Sequence, residues 1–220
     1  MMEVTRKLAE FASQIRFEDL PQPVRDKTCA LIMDQFGIVM RARREAALVE
    51  STLESLADLH FGQGGSTVVG DASRYSPPAA AFFNAALGHA LDFDDTHAKA
   101  SIHPSAPIVW AAVAAAETKG ASGADLVAAI TAGYEIQIRL SLALVPKEHY
   151  EKGFHPTATC GVFGAAAAAG VVGDGARDGG SCGERASRTS GDSGTGAAGG
   201  RSACTRGRGR SLRRVRAKTP

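Results

Sequence analysis

Cysteine is scarce in this chain and badly spaced for any framework. Cys29, Cys160, Cys182 and Cys204 form no C-x-x-C pair. That argues against a disulfide scaffold and a structural zinc site, and it leaves a reducing, cytoplasmic setting as the expectation. Strand signals are almost absent: Ser66-Thr67-Val68-Val69-Gly70 is the one plausible strand and is too short to define a sheet. Long apolar runs are missing too. The most apolar stretch, 126–145, carries Glu135, Gln137 and Arg139 and reads as a buried helix, not a membrane span. The segment 1–7 lacks the apolar run of a signal peptide. Neither a glycine-rich phosphate loop nor a G-x-S-x-G elbow nor a Cys–His nucleophile signature is present, which removes those mechanisms.

A further scarcity divides the chain. All nine Phe, all three Tyr, the Trp and every Ile and Met lie within residues 1–172. Residues 173–220 hold 12 of the 25 Gly, and their only large aliphatics are Leu212 and Val215. Charge follows the same division: 14 Lys/Arg against 19 Asp/Glu in 1–172 gives −5, and 11 against 4 in 173–220 gives +7. The first part can bury a core, whereas the second cannot offset its chain entropy by burial. We therefore expect a folded domain over 1–172 and a Gly/Arg-rich disordered tail over 173–220. Three readings of the tail compete: a solvated linker, a basic nucleic-acid-binding segment, and an out-of-frame translation. Arg206-Gly-Arg-Gly-Arg210 favours the second, but the aromatics of a stacking platform are missing. The abrupt shift to Arg, Gly, Ala, Ser and Thr inside a helical pattern favours the third.

Helical periodicity fills the first part. Val4, Leu8, Phe11, Ala12 and Ile15 form one stripe, and a helix from Pro23 to about Arg43 turns Leu31, Ile32, Phe36 and Val39 inward. A weaker helix spans 45–60, with His60 at its end. Pro77-Pro78 opens an Ala-rich helix through Leu91, and Pro104 starts another that ends at Gly120. Ser122 and Asp125 form a capping-box-like start for a helix over 123–145, with Glu135 and Arg139 in favourable i,i+4 order. The last helix begins at Pro156 and carries Gly161, Gly164 and a five-Ala run, small side chains that suit a central, closely packed position. The expected fold class is all-α.

Chemistry concentrates in two windows, Leu91-Asp92-Phe93-Asp94-Asp95-Thr96-His97 with Ile102-His103-Pro104, and Gly153-Phe154-His155-Pro156-Thr157. One further helical turn beyond Leu91 would set Asp92 and Thr96 on one face with Asp95 beside them, Asp94 pointing elsewhere. Clustered carboxylates raise the pKa of at least one member, which suits acid–base work near neutral pH. Each His-Pro pair places an imidazole at a helix N-terminus, where free N–H groups and the dipole attract anions. Two such ends together would hold a di- or tricarboxylate. A solvated helix end and simple capping are the plainer alternatives. His89 and His149 have no comparable context, and His97 is close enough in sequence to support the cluster. A divalent ion held by Asp92, Asp94, Asp95 and His97 is a further alternative, although the second Asp-rich helix of diphosphate-binding all-α enzymes is missing.

The segment from Ala86 through His97, followed by Ser101-Ile102-His103-Pro104, resembles the signature region of the MmgE/PrpD family. That family includes 2-methylcitrate dehydratase, cis-aconitate decarboxylase and iminodisuccinate epimerase. The similarity runs from Lys7 to about Gly170 and includes Gly120–Leu126, Gly133-Tyr134-Glu135 and Gly153-Phe154-His155. It implies a helical domain joined to an α+β lid, usually in a homodimer, with no organic cofactor; from the residues themselves no metal is expected. Asp92, Thr96, His103 and His155 match pocket positions. By that resemblance Asp92 or a histidine acts as base, His103 and His155 bind carboxylates or donate protons, and Thr96 orients a substrate oxygen. A lysine, a tyrosine and the lid, which the family draws from later in the chain, find no match here. The expectation is thus a cytoplasmic lyase or isomerase domain for small polycarboxylates, cut after roughly its first third and inactive in this form. The competing expectation is a helical interaction module whose basic tail binds nucleic acid.

Overall fold

The computed structural model describes residues 2–45, 47–58 and 64–178. The described chain is all-α apart from one small hairpin. It runs through α1 (Met2–Gln14), α2 (Gln22–Glu45), α3 (Leu48–Asp58), β1 (Ser66–Thr67), β2 (Arg74–Tyr75), α4 (Pro77–His89), α5 (Ser105–Lys119), α6 (Gly123–Ala143), α7 (Pro146–Glu151) and α8 (Pro156–Asp178). Short 3-10 turns cover Phe17–Asp19 and Ala98–Ala100. The strands pair antiparallel, Ser66 with Tyr75 and Thr67 with Arg74, so the sequence's one strand signal becomes half of a two-residue ladder. Helix α8 continues past Val172, where the compositional change begins, to Asp178. The rest of the Gly/Arg-rich segment and His60 lie outside the described residues.

Helices α5, α6 and α8 form the centre. Ile108, Val109 and Ala112 of α5, Ala129 and Ile130 of α6, and Ala168 and Val172 of α8 share one buried cluster. The small residues of α8 have a direct use. A Cβ added at Gly133 would stand 2.8 Å from the Gly164 carbonyl oxygen, and one at Gly164 would stand 3.0 Å from that of Gly133. The two backbones therefore meet at this pair of glycines, and α8 is central for that reason. The capping box forms as its spacing predicts: the Asp125 N–H donates to Ser122 Oγ at 3.2 Å, and the Ser122 N–H donates to Asp125 Oδ2 at 3.0 Å. At the end of α5, Gly120 takes the left-handed conformation that lets the helix stop (φ +62). By length and composition α6 could cross a membrane, but 56% of its apolar window is buried within the fold.

A second cluster joins Val39 and Ala42 of α2, Phe83 and Leu87 of α4, Trp110 of α5, and Val68 and Val69 beyond β1. Trp110 Nε1 donates to Gln35 Oε1 at 3.0 Å, which satisfies the indole inside the core. Gly88 is required there, because a Cβ would meet that same oxygen at 2.4 Å.

The sequence stripes are bent by this arrangement. Among the described side chains of α1 only Ala12 is buried, against Ala132 and Ile136 of α6, while Val4 and Phe11 face outward. Phe36 also lies at the surface, with its ring 4.8 Å from that of Trp110. Helix α3 starts at Leu48 instead of Glu45, and α6 ends at Ala143, where the chain turns through Val145 (φ +53) into α7, which the periodicity did not reveal. The extra turn expected beyond Leu91 does not form, since α4 ends at His89.

Candidate active site

The loop 90–104 carries the chemistry, and its shape follows from where α4 stops. The Ala90 N–H closes the helix on the Leu87 carbonyl at 3.3 Å, and the chain reverses at Asp92, whose φ is +56. Asp is among the few side chains that enter this region readily. Asp92 and Thr96 therefore do not share a helical face. Further on, His97 and Ile102 form an isolated antiparallel bridge, and Ser101 (φ +52) makes a second left-handed turn between them. The His97 ring faces inward on this small loop, its Nδ1 accepting the Ala100 N–H at 3.1 Å.

Reversal at Asp92 gives Asp94 a role opposite to the one expected. Instead of pointing away, its side chain is fully buried (0% exposed) and lies 3.0 Å from His89 Nδ1 through each carboxylate oxygen. His103 Nδ1 lies 3.4 Å from Asp94 Oδ1, and His103 Nε2 lies 3.7 Å from Asp92 Oδ1. The first of these separations is an ion-pair distance without hydrogen-bond alignment, so His103 Nδ1 is a buried nitrogen with no hydrogen-bond partner. The His89 and His103 rings meet edge to face, centroids 4.9 Å apart. His89, the last residue of α4, thus belongs to the cluster although its sequence context gave no sign of it.

Asp95 anchors the loop from its other side. Its Oδ1 accepts the Ser105 N–H at 3.1 Å, at the start of α5, and its Oδ2 accepts the Tyr134 hydroxyl of α6 at 2.9 Å. Ser105 Oγ and the Tyr134 hydroxyl are themselves hydrogen-bonded. Burial, and then the adjacent Asp95 charge, push the Tyr134 phenol far above its ordinary value, so it stays a neutral donor. The His103 N–H donates to Thr157 Oγ1 at 3.0 Å, which ties the entry of α5 to the first turn of α8. Pro104 occupies the position before α5 instead of its first residue, so His103 stands two residues before the helix begins.

Of the four residues singled out by sequence, Asp92 and His103 are brought together. Thr96 is an exposed residue of the same loop. His155, also exposed, sits just before α8 with its ring against Tyr150 (5.5 Å, edge to face). His149 bonds Thr159 Oγ1 at 2.9 Å and stacks on Phe154, a local arrangement of α7 and α8. The metal set considered from the sequence does not converge, because Asp95 is engaged by Ser105 and Tyr134 and His97 by Ala100. His89, Asp92, Asp94 and His103 do place one ligand atom each within 4.8 Å of one another. The same donors form a carboxylate–imidazole array suited to moving protons.

The chain is 29% identical over 175 residues to cis-aconitate decarboxylase of Aspergillus terreus, covering 76% of this chain and 34% of that protein. It is 29% identical over 174 residues to cis-aconitate decarboxylase of Mus musculus, covering 77% and 35% respectively. Against the Homo sapiens cis-aconitate decarboxylase it is 39% identical over 109 residues, 47% of this chain and 22% of that one. The chain thus spans about a third of the length of the fungal and mouse relatives it matches. The profile of the MmgE/PrpD N-terminal domain matches residues 6–179, and the chain belongs to that family.

Proposed function

We propose that this helical domain carries the acid–base part of a lyase site for a small di- or tricarboxylate, with decarboxylation of cis-aconitate as the first reaction to test. The supporting observation is the position of His103 between two carboxylates, Asp94 at one ring nitrogen and Asp92 at the other. A proton can be held at either nitrogen there, as required beside a carbon that loses carbon dioxide or water. The side chain of Asp92 is 81% exposed and accessible to a substrate. His155 is proposed to bind a substrate carboxylate, supported by the bond through Thr157 that ties the entry of α5 to the start of α8, and Thr96, on the same loop as Asp92, is proposed to orient a substrate oxygen.

The 220 residues by themselves are proposed to be without turnover, supported by the third of the relatives' length that they span. A cytoplasmic homodimer belongs to the same reading, supported by the free thiols of Cys29 and Cys160 and by the exposed Phe154, Val162 and Phe163. To test the site, residues 6–179 replace the matching segment of the Aspergillus terreus relative, and carbon dioxide release from cis-aconitate is measured. Turnover by the chimera is expected, falling at least about 100-fold with Asp92→Asn or His103→Ala. A folded chimera indifferent to both substitutions would remove the reading, and clear turnover by the 220-residue chain would remove the claim of inactivity.

A further inference from the structure

We infer that Asp94 is a positioning residue for two histidines at once, holding a proton on Nδ1 of both His89 and His103 and leaving each Nε2 as the atom that exchanges protons. An ionised carboxylate only accepts hydrogen bonds, so a ring nitrogen 3.0 Å from both of its oxygens must be the protonated one. That fixes His89 as the Nδ1–H tautomer. For His103 the same wholly buried carboxylate stands 3.4 Å from Nδ1 without hydrogen-bond alignment, so there its negative charge, and not a hydrogen bond, favours a proton on that nitrogen. A buried negative charge needs donors, and the structure places these two imidazoles beside it. A neutral imidazole holds a single proton, so both Nε2 atoms are bare, and that of His103 faces Asp92 at 3.7 Å. A carboxylate selecting the tautomer of a catalytic imidazole through Nδ1 is an established arrangement in other enzymes. Here one carboxylate would serve two rings, which enter from different elements, His89 from the end of α4 and His103 from the entry to α5. Asp92, Asp95 and, from α6, Tyr134 are ionisable groups beside the array.

That the bare Nε2 of His103 takes or delivers a substrate proton rests on the lyase reading above; the tautomer assignment does not. Long-range proton–nitrogen correlation spectra of the nitrogen-15-labelled 220-residue chain, recorded at a pH where the imidazoles are neutral, test the assignment without turnover. The Nδ1–H pattern is expected for His89 and His103. Asp94→Ala removes both acceptor oxygens and is expected to convert both to the Nε2–H pattern that a solvated histidine prefers, while His149 and His155 stay unchanged. An Nε2–H pattern at either ring in the unsubstituted chain overturns the inference. So does survival of the Nδ1–H pattern in a folded Asp94→Ala protein, and if that variant does not fold, the unsubstituted spectrum decides. Loss of the lyase reading with these patterns intact would count against the chemistry and not against the positioning.

Discussion

The stack of α5, α6 and α8 is joined by volume, whereas the loop 90–104 is joined by direction. In the stack, Ile108, Val109, Ile130, Ala168 and Val172 are wholly buried, and the closest approach is made by two glycines with no side chains to interfere. In the loop, Asp94, Asp95, His97 and His103 each form specific polar contacts, and two non-glycine residues, Asp92 and Ser101, take left-handed backbone conformations. Each such residue costs about 1–2 kcal/mol. The loop recovers part of this by burial, because Ala100 and Ile102 are wholly buried while Phe93 is exposed. Its ends are fixed by α4 and α5. Stability thus resides mainly in the stack and chemistry mainly in the loop, and substitutions should separate the two.

The largest effect is expected in the apolar part. Trp110→Ala removes a fully buried indole and leaves Gln35 Oε1 without its donor, at a cost of about 3–5 kcal/mol by denaturant titration. A loss under about 1 kcal/mol would mean that this core is not the one described. Gly133→Ala comes next. Its Cβ meets backbone, which cannot rotate away, so overpacking of about 1–3 kcal/mol is expected in the same measurement. Tyr134→Phe tests the junction of the two regions, because it takes the donor from Asp95 without altering the stack. About 1–2 kcal/mol is expected at neutral pH. The sign of its pH dependence is fixed as well. The folded phenol lies above its ordinary value of 10.0, so its contribution is complete below about pH 10 and is lost as the pH rises further and the unfolded chain ionises. The phenylalanine variant should lose stability less steeply above that point, and an unchanged slope would remove the burial argument. The smallest effect belongs to Arg139→Ala. Its bond to Glu135 is solvent-exposed and worth at most about 0.5 kcal/mol, so a larger loss would point to an unseen role for that face of α6.

The helices were legible in the sequence wherever one residue type repeated or a cap was local. Ser122 with Asp125, Gly120, Pro77 and the small residues of α8 each act through neighbours only a few positions away or through their own lack of volume. Periodicity failed at Val4, Phe11 and Phe36, where the spacing marks an apolar stripe but cannot say whether a partner covers it. In the candidate site, Asp92 and His103 were readable because carboxylates and a His-Pro pair crowd one window. His89 was missed because its membership depends on a reversal at Asp92, three residues after it, and a dense run of Asp was the only hint of that turn. Tyr134 appeared in the sequence only as part of a family segment. Its bond to Asp95 crosses from α6 to the loop, and no spacing rule reports such a contact.

By itself the amino-acid sequence determined an all-helical domain, the family, and the short window in which acids and imidazoles gather, because these depend on residue type, period and local capping. The tertiary structure alone decided which of those groups meet: Asp94 turns inward to His89 and His103, and Asp95 turns to Ser105 and Tyr134. The physical reason is the direction of the chain at two left-handed residues, together with the fixed positions of α4, α5, α6 and α8. A carboxylate's partner is set by which oxygen and which nitrogen arrive within about 3 Å, and that is a property of the packed helices.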